Sequence, residues 1–267
     1  MTWDSALTGF GAGLLISVAT APAGVSGAVF LLPVQVSVLG VPSPAVTPTN
    51  LLFNVVAGPG ALFRHHRAGR LGGTLTRLLM LGAVPGVVAG AAVRVFVVPG
   101  PEVFRLIVAG LLLPLGVWLC VRTVRPPRDG PPPGARGPAA GLSARATTVL
   151  AAAVGVVGGV YGIGGGSLLG PILVGRGMPV ARVAPAALAC TFVTSAVGAC
   201  TYALLALVTP GTVGPEWLLG LACGLGGLVG GYLGAHLQPL LPEKGLRLLL
   251  GALACGVGTL YAVQALS

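Results

Sequence analysis

Apolar positions run along this chain in blocks, and the breaks between the blocks come in a repeating order. Residues 6–21 are apolar and stop at Pro22, and a second, shorter run over 28–39 contains Pro33. Neither reaches the roughly 20 residues a helix needs to cross a hydrocarbon core, so the pair reads as the two arms of a broken or re-entrant hairpin. Three longer blocks follow at about 43–63, 72–98 and 101–124. The stretch 125–145, opening Arg125-Pro126-Pro127-Arg128, has no apolar period and reads as a linker. After it the order restarts: an apolar arm over 146–161, a glycine break from Gly162, a short arm over 167–175, then blocks at about 181–208, 215–237 and 244–266.

The restart repeats residues as well as hydropathy. A shift of 138 places Gly24 on Gly162, Gly27 on Gly165 and Pro33 on Pro171; one deletion later Pro42 falls on Pro179 and Pro48 on Pro185. The pattern predicts an all-α polytopic membrane protein of two repeats, 1–124 and 146–267, each a broken hairpin followed by three transmembrane helices. Composition agrees. The chain is 55% hydrophobic and 7% charged, with 45 Gly, 23 Pro and a mean hydropathy of +0.97, where soluble domains carry about 25% charged residues and membrane helices are the richer in Gly and Pro.

Charge changes the picture from class to topology. The excess of +10 sits in the gaps between apolar blocks without interleaved aromatics, which argues for a lipid bilayer as partner and against nucleic acid. If each short pair enters and leaves on one side, the second repeat is inverted, and the intervals 64–77, 122–145, 176–182 and 244–247 share a side with 13 of the 15 basic residues. By the positive-inside rule that side, linker 125–145 included, is the cytoplasmic face of the cell's inner (plasma) membrane. A parallel repeat would instead put Arg176 and Arg182 outside and Glu216 inside; ten short full crossings keep the inverted parity and stay open. Met1 to Asp4 is too short and acidic for a signal-peptide n-region, so the first apolar block is expected to stay.

Inversion would bring both irregular turns to the middle of the slab, where irregular backbone survives only around a protein-lined cavity. The returning arms begin there, with unpaired N–H groups and the positive ends of their dipoles facing each other, a geometry that holds an anion without a buried cation. Candidate substrate contacts are Gly24, Ser26 and Gly27 on one side and Gly164, Gly165, Gly166 and Ser167 on the other, with the two serines placed as N-caps. Pro22, Pro33 and Pro171 are the expected structural hinges. Close helix packing through small residues is the competing reading of the same glycines. A dinucleotide-binding reading of Gly162-x-Gly164 is weak, because no acidic residue follows about 20 positions on.

The helix after each hairpin carries polarity that an apolar span does not need: Thr47, Thr49, Asn50 and Asn54 in the first repeat, Thr191, Thr194 and Ser195 in the second. For each threonine, a back-bonded or interhelical role weighs evenly with ligand contact. For Asn50 and Asn54 ligand contact is favoured, since packing alone seldom satisfies every bonding position of an amide. No block contains an internal Asp or Glu, so a carboxylate proton relay is not expected. His236 reads as interfacial, His65 and His66 as part of a basic loop, and Arg94 and Arg105 as snorkelling, with anion attraction at an external vestibule as the lesser reading. The five cysteines fall in apolar blocks without a CxxC pair and read as small core residues. Neither a metal-spaced cluster nor a Ser/His/Asp set lies in the spans, so no metal, no cofactor and no enzymatic activity are expected.

On these motifs the chain resembles the sulfite exporter TauE/SafE family, also described as the toluenesulfonate uptake permease superfamily. The second repeat carries the likeness in Gly162-x-Gly164-Gly165-Gly166, Pro171, the Gly177-Met178-Pro179 turn and Thr194-Ser195; the first carries it more loosely in Thr49-Asn50-Leu51 and the His65-His66-Arg67 loop. Gly24-Val25-Ser26-Gly27 departs from the glycine-rich form, and Ala186-Ala187 stands where the second Thr-Ser would, so the two sides of a site should differ. The resemblance implies movement of sulfite, sulfonates or related sulfur oxyanions. Export is the expected direction, cation-coupled uptake of thiosulfate or an organosulfonate the alternative, and a non-transporting membrane partner the alternative from another class. A homo-oligomer is left open.

Overall fold

A computed structural model of the chain describes residues 3–21, 26–42, 45–67, 72–97, 101–124, 143–176, 178, 180–209, 213–237 and 243–266. Pro22, Gly24 and most of the linker, 125–142, lie outside the described residues. The described chain is helical, without strands: α1 (Trp3–Thr20), α2 (Ala28–Pro33), α3 (Val46–Arg67), α4 (Thr74–Phe96), α5 (Pro101–Val124), α6 (Ala144–Tyr161), α7 (Gly165–Gly175), α8 (Val180–Val208), α9 (Trp217–Leu237) and α10 (Glu243–Leu266). A π-helical stretch, Val34–Val38, continues α2 beyond Pro33.

Local chemistry sets the boundaries around the second break. Ser143 caps α6, its Oγ accepting the Ala146 N–H at 3.1 Å, so the helix starts as soon as the linker supplies a capping side chain. It stops at Gly162, whose φ of 74° and ψ of 20° are left-handed and whose N–H donates to Gly158 O at 2.9 Å. Gly164, at φ 71°, is left-handed too, and α7 begins at the next residue. The break thus falls on the glycines; α7 runs on through Pro171, and the chain stays helical past Pro33, where α2 passes into the π-helical stretch.

The first arms are longer than a half-depth hairpin requires. Helices α1 and α6 have 18 residues each, about 27 Å of rise, against 11 for α7. Among the described residues, four helices are long and apolar enough to cross a membrane, over Thr74–Phe96, Ala144–Tyr161, Pro185–Val208 and Trp217–Gly234. Helix α6 begins two residues before the apolar run 146–161, at its Ser143 cap, and takes in Arg145, a charge the apolar pattern had excluded but a helix end tolerates.

Packing exchanges elements between the halves. Helix α1 packs on α9 and α6 on α4; α3 lies against α8 and α9; α4 also touches α8; and α5 pairs with α10. These contacts are glycine-built. A Cβ at Gly82, Gly86 or Gly90 of α4 would land on the carbonyl oxygens of Thr148, Ala152 and Val156 of α6. In the same way Gly226 and Gly230 of α9 meet the carbonyls of Phe10 and Leu14 of α1. Backbones approaching this closely through small residues every fourth position are how helices associate in lipid, where no hydrophobic drive separates helix from solvent. The outer surface is correspondingly apolar, with Leu7, Leu15, Leu81, Leu204 and Leu207 all more than 60% exposed.

Candidate functional site

Helix α3 brings the two breaks together. Near its start, Thr47 Oγ1 donates to Val160 O at 3.1 Å, and a Cβ on Gly162 would fall on Thr47 O, so this end of α3 rests on the α6–α7 break. Further along the same face, Asn50 Nδ2 donates to Ala28 O at 2.8 Å and Asn54 Oδ1 accepts the Ser26 hydroxyl at 2.6 Å. Ser26 Oγ in turn accepts the Ala28 N–H at 3.2 Å, from one position before the N-cap, Gly27, which has no side-chain cap. Seven residues of helix separate Thr47 from Asn54, so the two breaks lie about 10 Å apart along α3.

The amides are only half used. Asn50 and Asn54 are 0% and 4% exposed, yet Asn50 Oδ1 and Asn54 Nδ2 have no hydrogen-bond partner. A Cβ on Gly27, beside them, would meet Ile16, Ser17 and Phe53 at 3.2–3.4 Å.

At the second break the capping oxygen comes from another helix. Thr194 Oγ1 accepts the Gly165 N–H at 3.0 Å while donating to Cys190 O at 2.7 Å. Ser167, expected as the N-cap, instead lies inside the first turn of α7 and donates back to Ile163 O at 2.6 Å, because α7 already starts at Gly165. Thr191 is back-bonded to Ala187 O at 3.0 Å, and a Cβ on Gly166 would collide with that same carbonyl. Ser195 differs from its neighbours: its hydroxyl is fully buried, has no partner, and lies 2.7 Å from where a Cβ of Gly164 would stand. The glycines therefore do serve close packing, at Gly162 and Gly166 above all, and an unused hydroxyl points at the break between them.

Arg94 corrects the sequence reading most. It does not snorkel: it is the largest fully buried side chain among the described residues, and its Nε donates to Thr47 Oγ1 through a long, 3.4 Å hydrogen bond. Tyr161 and Tyr202 flank it, and the Tyr202 hydroxyl donates to Gly159 O at 2.8 Å. The α6–α7 break therefore does have a buried cation beside it. The positional signal was available, an arginine four residues from the end of the apolar block 72–98, but its depth depends on α4 packing against α6 and α8.

Gln35 was missed outright. It sits in the π-helical stretch, 0% exposed, with neither end of its amide partnered, beside Cys223 of α9. A lone amide in the run 28–39 was the signal, and π-helical segments often mark functional positions. Thr49 is back-bonded to Ala45 O and accepts the Glu216 N–H at 2.9 Å, tying α3 to the start of α9. His236 is exposed against the Tyr232 ring, centroids 5.1 Å apart. All five cysteines are free thiols; Cys190 and Cys223 are buried, Cys120 and Cys255 half-buried, and Cys200 exposed.

No curated protein and no solved structure matches the chain. The family model described as Sulfite exporter TauE/SafE matches residues 9–261 of the 267. With apolar helices of membrane-crossing length on both sides of the linker, the chain is an integral membrane protein and belongs to the sulfite exporter TauE/SafE family.

Proposed function

We propose that the protein is a secondary transporter of the facilitator type, carrying a small sulfur oxyanion, sulfite or a sulfonate, out of the cell across the inner (plasma) membrane. The observation that carries this reading is the group of buried, unpartnered polar atoms beside the two helix breaks: Asn50 Oδ1, Asn54 Nδ2 and Ser195 Oγ. An orphaned buried polar group costs roughly 1–3 kcal/mol, a cost a bound polar ligand would remove. The buried Arg94, bonded to Thr47 about one turn of α3 before Asn50, favours negative charge there, and the family's description supplies the chemical class.

The two repeats, 1–124 and 146–267, are read as inverted, with the linker cytoplasmic. Supporting this are the reciprocal pairings, α1 on α9 and α6 on α4, and the gathering of basic residues in alternate gaps. Thr194, which caps α7, is the middle residue of α8 (Val180–Val208), so a crossing α8 would hold this break near the bilayer midplane. The short returning arms, α7 and α2 with its π-helical extension, suit a re-entrant role better than α1 and α6 do. Export of an anion needs no coupling ion, because an inside-negative potential assists exit by about 2.3 kcal/mol per charge per 100 mV.

The test is flux from proteoliposomes. Sulfite efflux should rise when the lumen is made negative and should fall in Ser195→Ala. Flux no greater than from empty liposomes, for sulfite and for sulfonates, refutes the reading. Flux that requires a proton or sodium gradient would favour coupled uptake instead.

A further inference from the structure

We infer that the α3 amide pair selects a monoanion that carries its own hydrogen-bond donor, such as hydrogen sulfite or a hydroxyalkylsulfonate, over anions of equal charge that carry none. The inference rests on the transport reading of this site and adds what the site demands of its ligand.

Asn50 Nδ2 donates to Ala28 O at 2.8 Å, and a carbonyl can only accept, so the orientation of that amide is decided and the atom left over is the acceptor, Oδ1. Asn54 Oδ1 takes the Ser26 hydroxyl at 2.6 Å, a length ordinary for O–H···O and short for N–H···O, so the atom left over on Asn54 is the donor, Nδ2. Both leftover atoms are buried and without a partner. Four residues apart, the two amides share one face of α3, about 6 Å apart along its axis, and both are pinned by the same start of α2.

A fully deprotonated oxyanion, or a simple alkylsulfonate, offers acceptors alone. It would satisfy Asn54 Nδ2 and press a lone pair against Asn50 Oδ1. A ligand with an O–H answers both atoms, its anionic oxygens accepting from Asn54 and its hydroxyl donating to Asn50. The second repeat has no counterpart: in the repeat register Asn50 matches Ala187 and Asn54 matches Thr191, whose hydroxyl is back-bonded to Ala187 O. The selection therefore belongs to the first repeat.

The experiment compares 2-hydroxyethanesulfonate with 1-propanesulfonate, equal in charge and nearly equal in size, as ligands of the purified full-length protein by calorimetry. The hydroxylated anion should bind at least about tenfold more tightly, since a site built around a ligand hydroxyl rejects the analogue that lacks it. Sulfite itself should bind more tightly on the acid side of its own ionisation, where hydrogen sulfite predominates. In Asn50→Leu, checked for folding by monodisperse elution, the preference should vanish; if that variant does not fold, the wild-type comparison still decides. Equal affinity for the two sulfonates, as a water-filled amide pair would give, overturns this inference and leaves the transport reading standing. Binding of neither sulfonate and no sulfite, together with no flux, overturns both. A preference kept in folded Asn50→Leu overturns the assignment to Asn50.

Discussion

Thr47 shows how much a single hydroxyl organises here. It donates to Val160 O, the last turn of α6, and accepts from Arg94 of α4, so α3, α4 and α6 meet at one oxygen. Thr47→Val keeps the shape but strands a buried carbonyl, and should cost about 1–3 kcal/mol in unfolding measured in detergent, with Thr47→Ser restoring most of it. Ser195→Ala should do the opposite. Its hydroxyl has no partner to lose, so stability should stay within about 0.5 kcal/mol while transport falls. A Ser195→Ala variant with both properties unchanged would make the hydroxyl a bystander of packing. The threonines had been evenly weighed between back-bonding and ligand contact, and the structure divides them: Thr49, Thr191 and Thr194 are back-bonded, and two of these hold a neighbouring helix start as well.

Among the elements, the glycine-lined contacts hold the bundle together and can be tested separately from the site. Gly86 lies in the middle of the α4–α6 contact with Ala152 O where a Cβ would go, so Gly86→Leu should force α4 and α6 apart and leave little folded protein by size-exclusion chromatography. Gly110 of α5 has nothing within 4 Å of its Cβ position, and Gly110→Ala should be neutral or stabilising by up to about 1 kcal/mol. Loss of folding in both would mean that glycine is needed along these helices for a reason other than close contact. The second break was legible at its residue positions, because a glycine run interrupts a helix wherever it occurs. The length of the arm before it was not, since an apolar pattern ends at the first charge while α6 continues through Arg145 to its cap.

For the whole molecule the open quantity is orientation. The inverted arrangement puts position 176 on the same side as the linker and position 209 on the other. In a cysteine-free background, Arg176→Cys should be labelled by an impermeant thiol reagent from the same side as Gly130→Cys, and Thr209→Cys from the opposite side. Labelling of 176 and 130 from opposite sides would establish the parallel repeat.

The sequence by itself determined the class and the place of the glycine break, and identified the family by its motifs. These follow from properties each residue carries wherever it sits: transfer cost from water, the missing Cβ of glycine, the missing N–H of proline. Only the tertiary structure decided which polar groups are satisfied. Gly165 finds its cap 29 positions away on α8, Thr47 its acceptor 113 positions away on α6, and Arg94 its hydroxyl 47 positions away on α3. A hydrogen bond needs its partner in place, and in a bundle the partner arrives from another helix. The glycine break proposed as an anion cradle is therefore largely closed by backbone packing, and the atoms left without partners are on the flanking helices, at Asn50, Asn54 and Ser195.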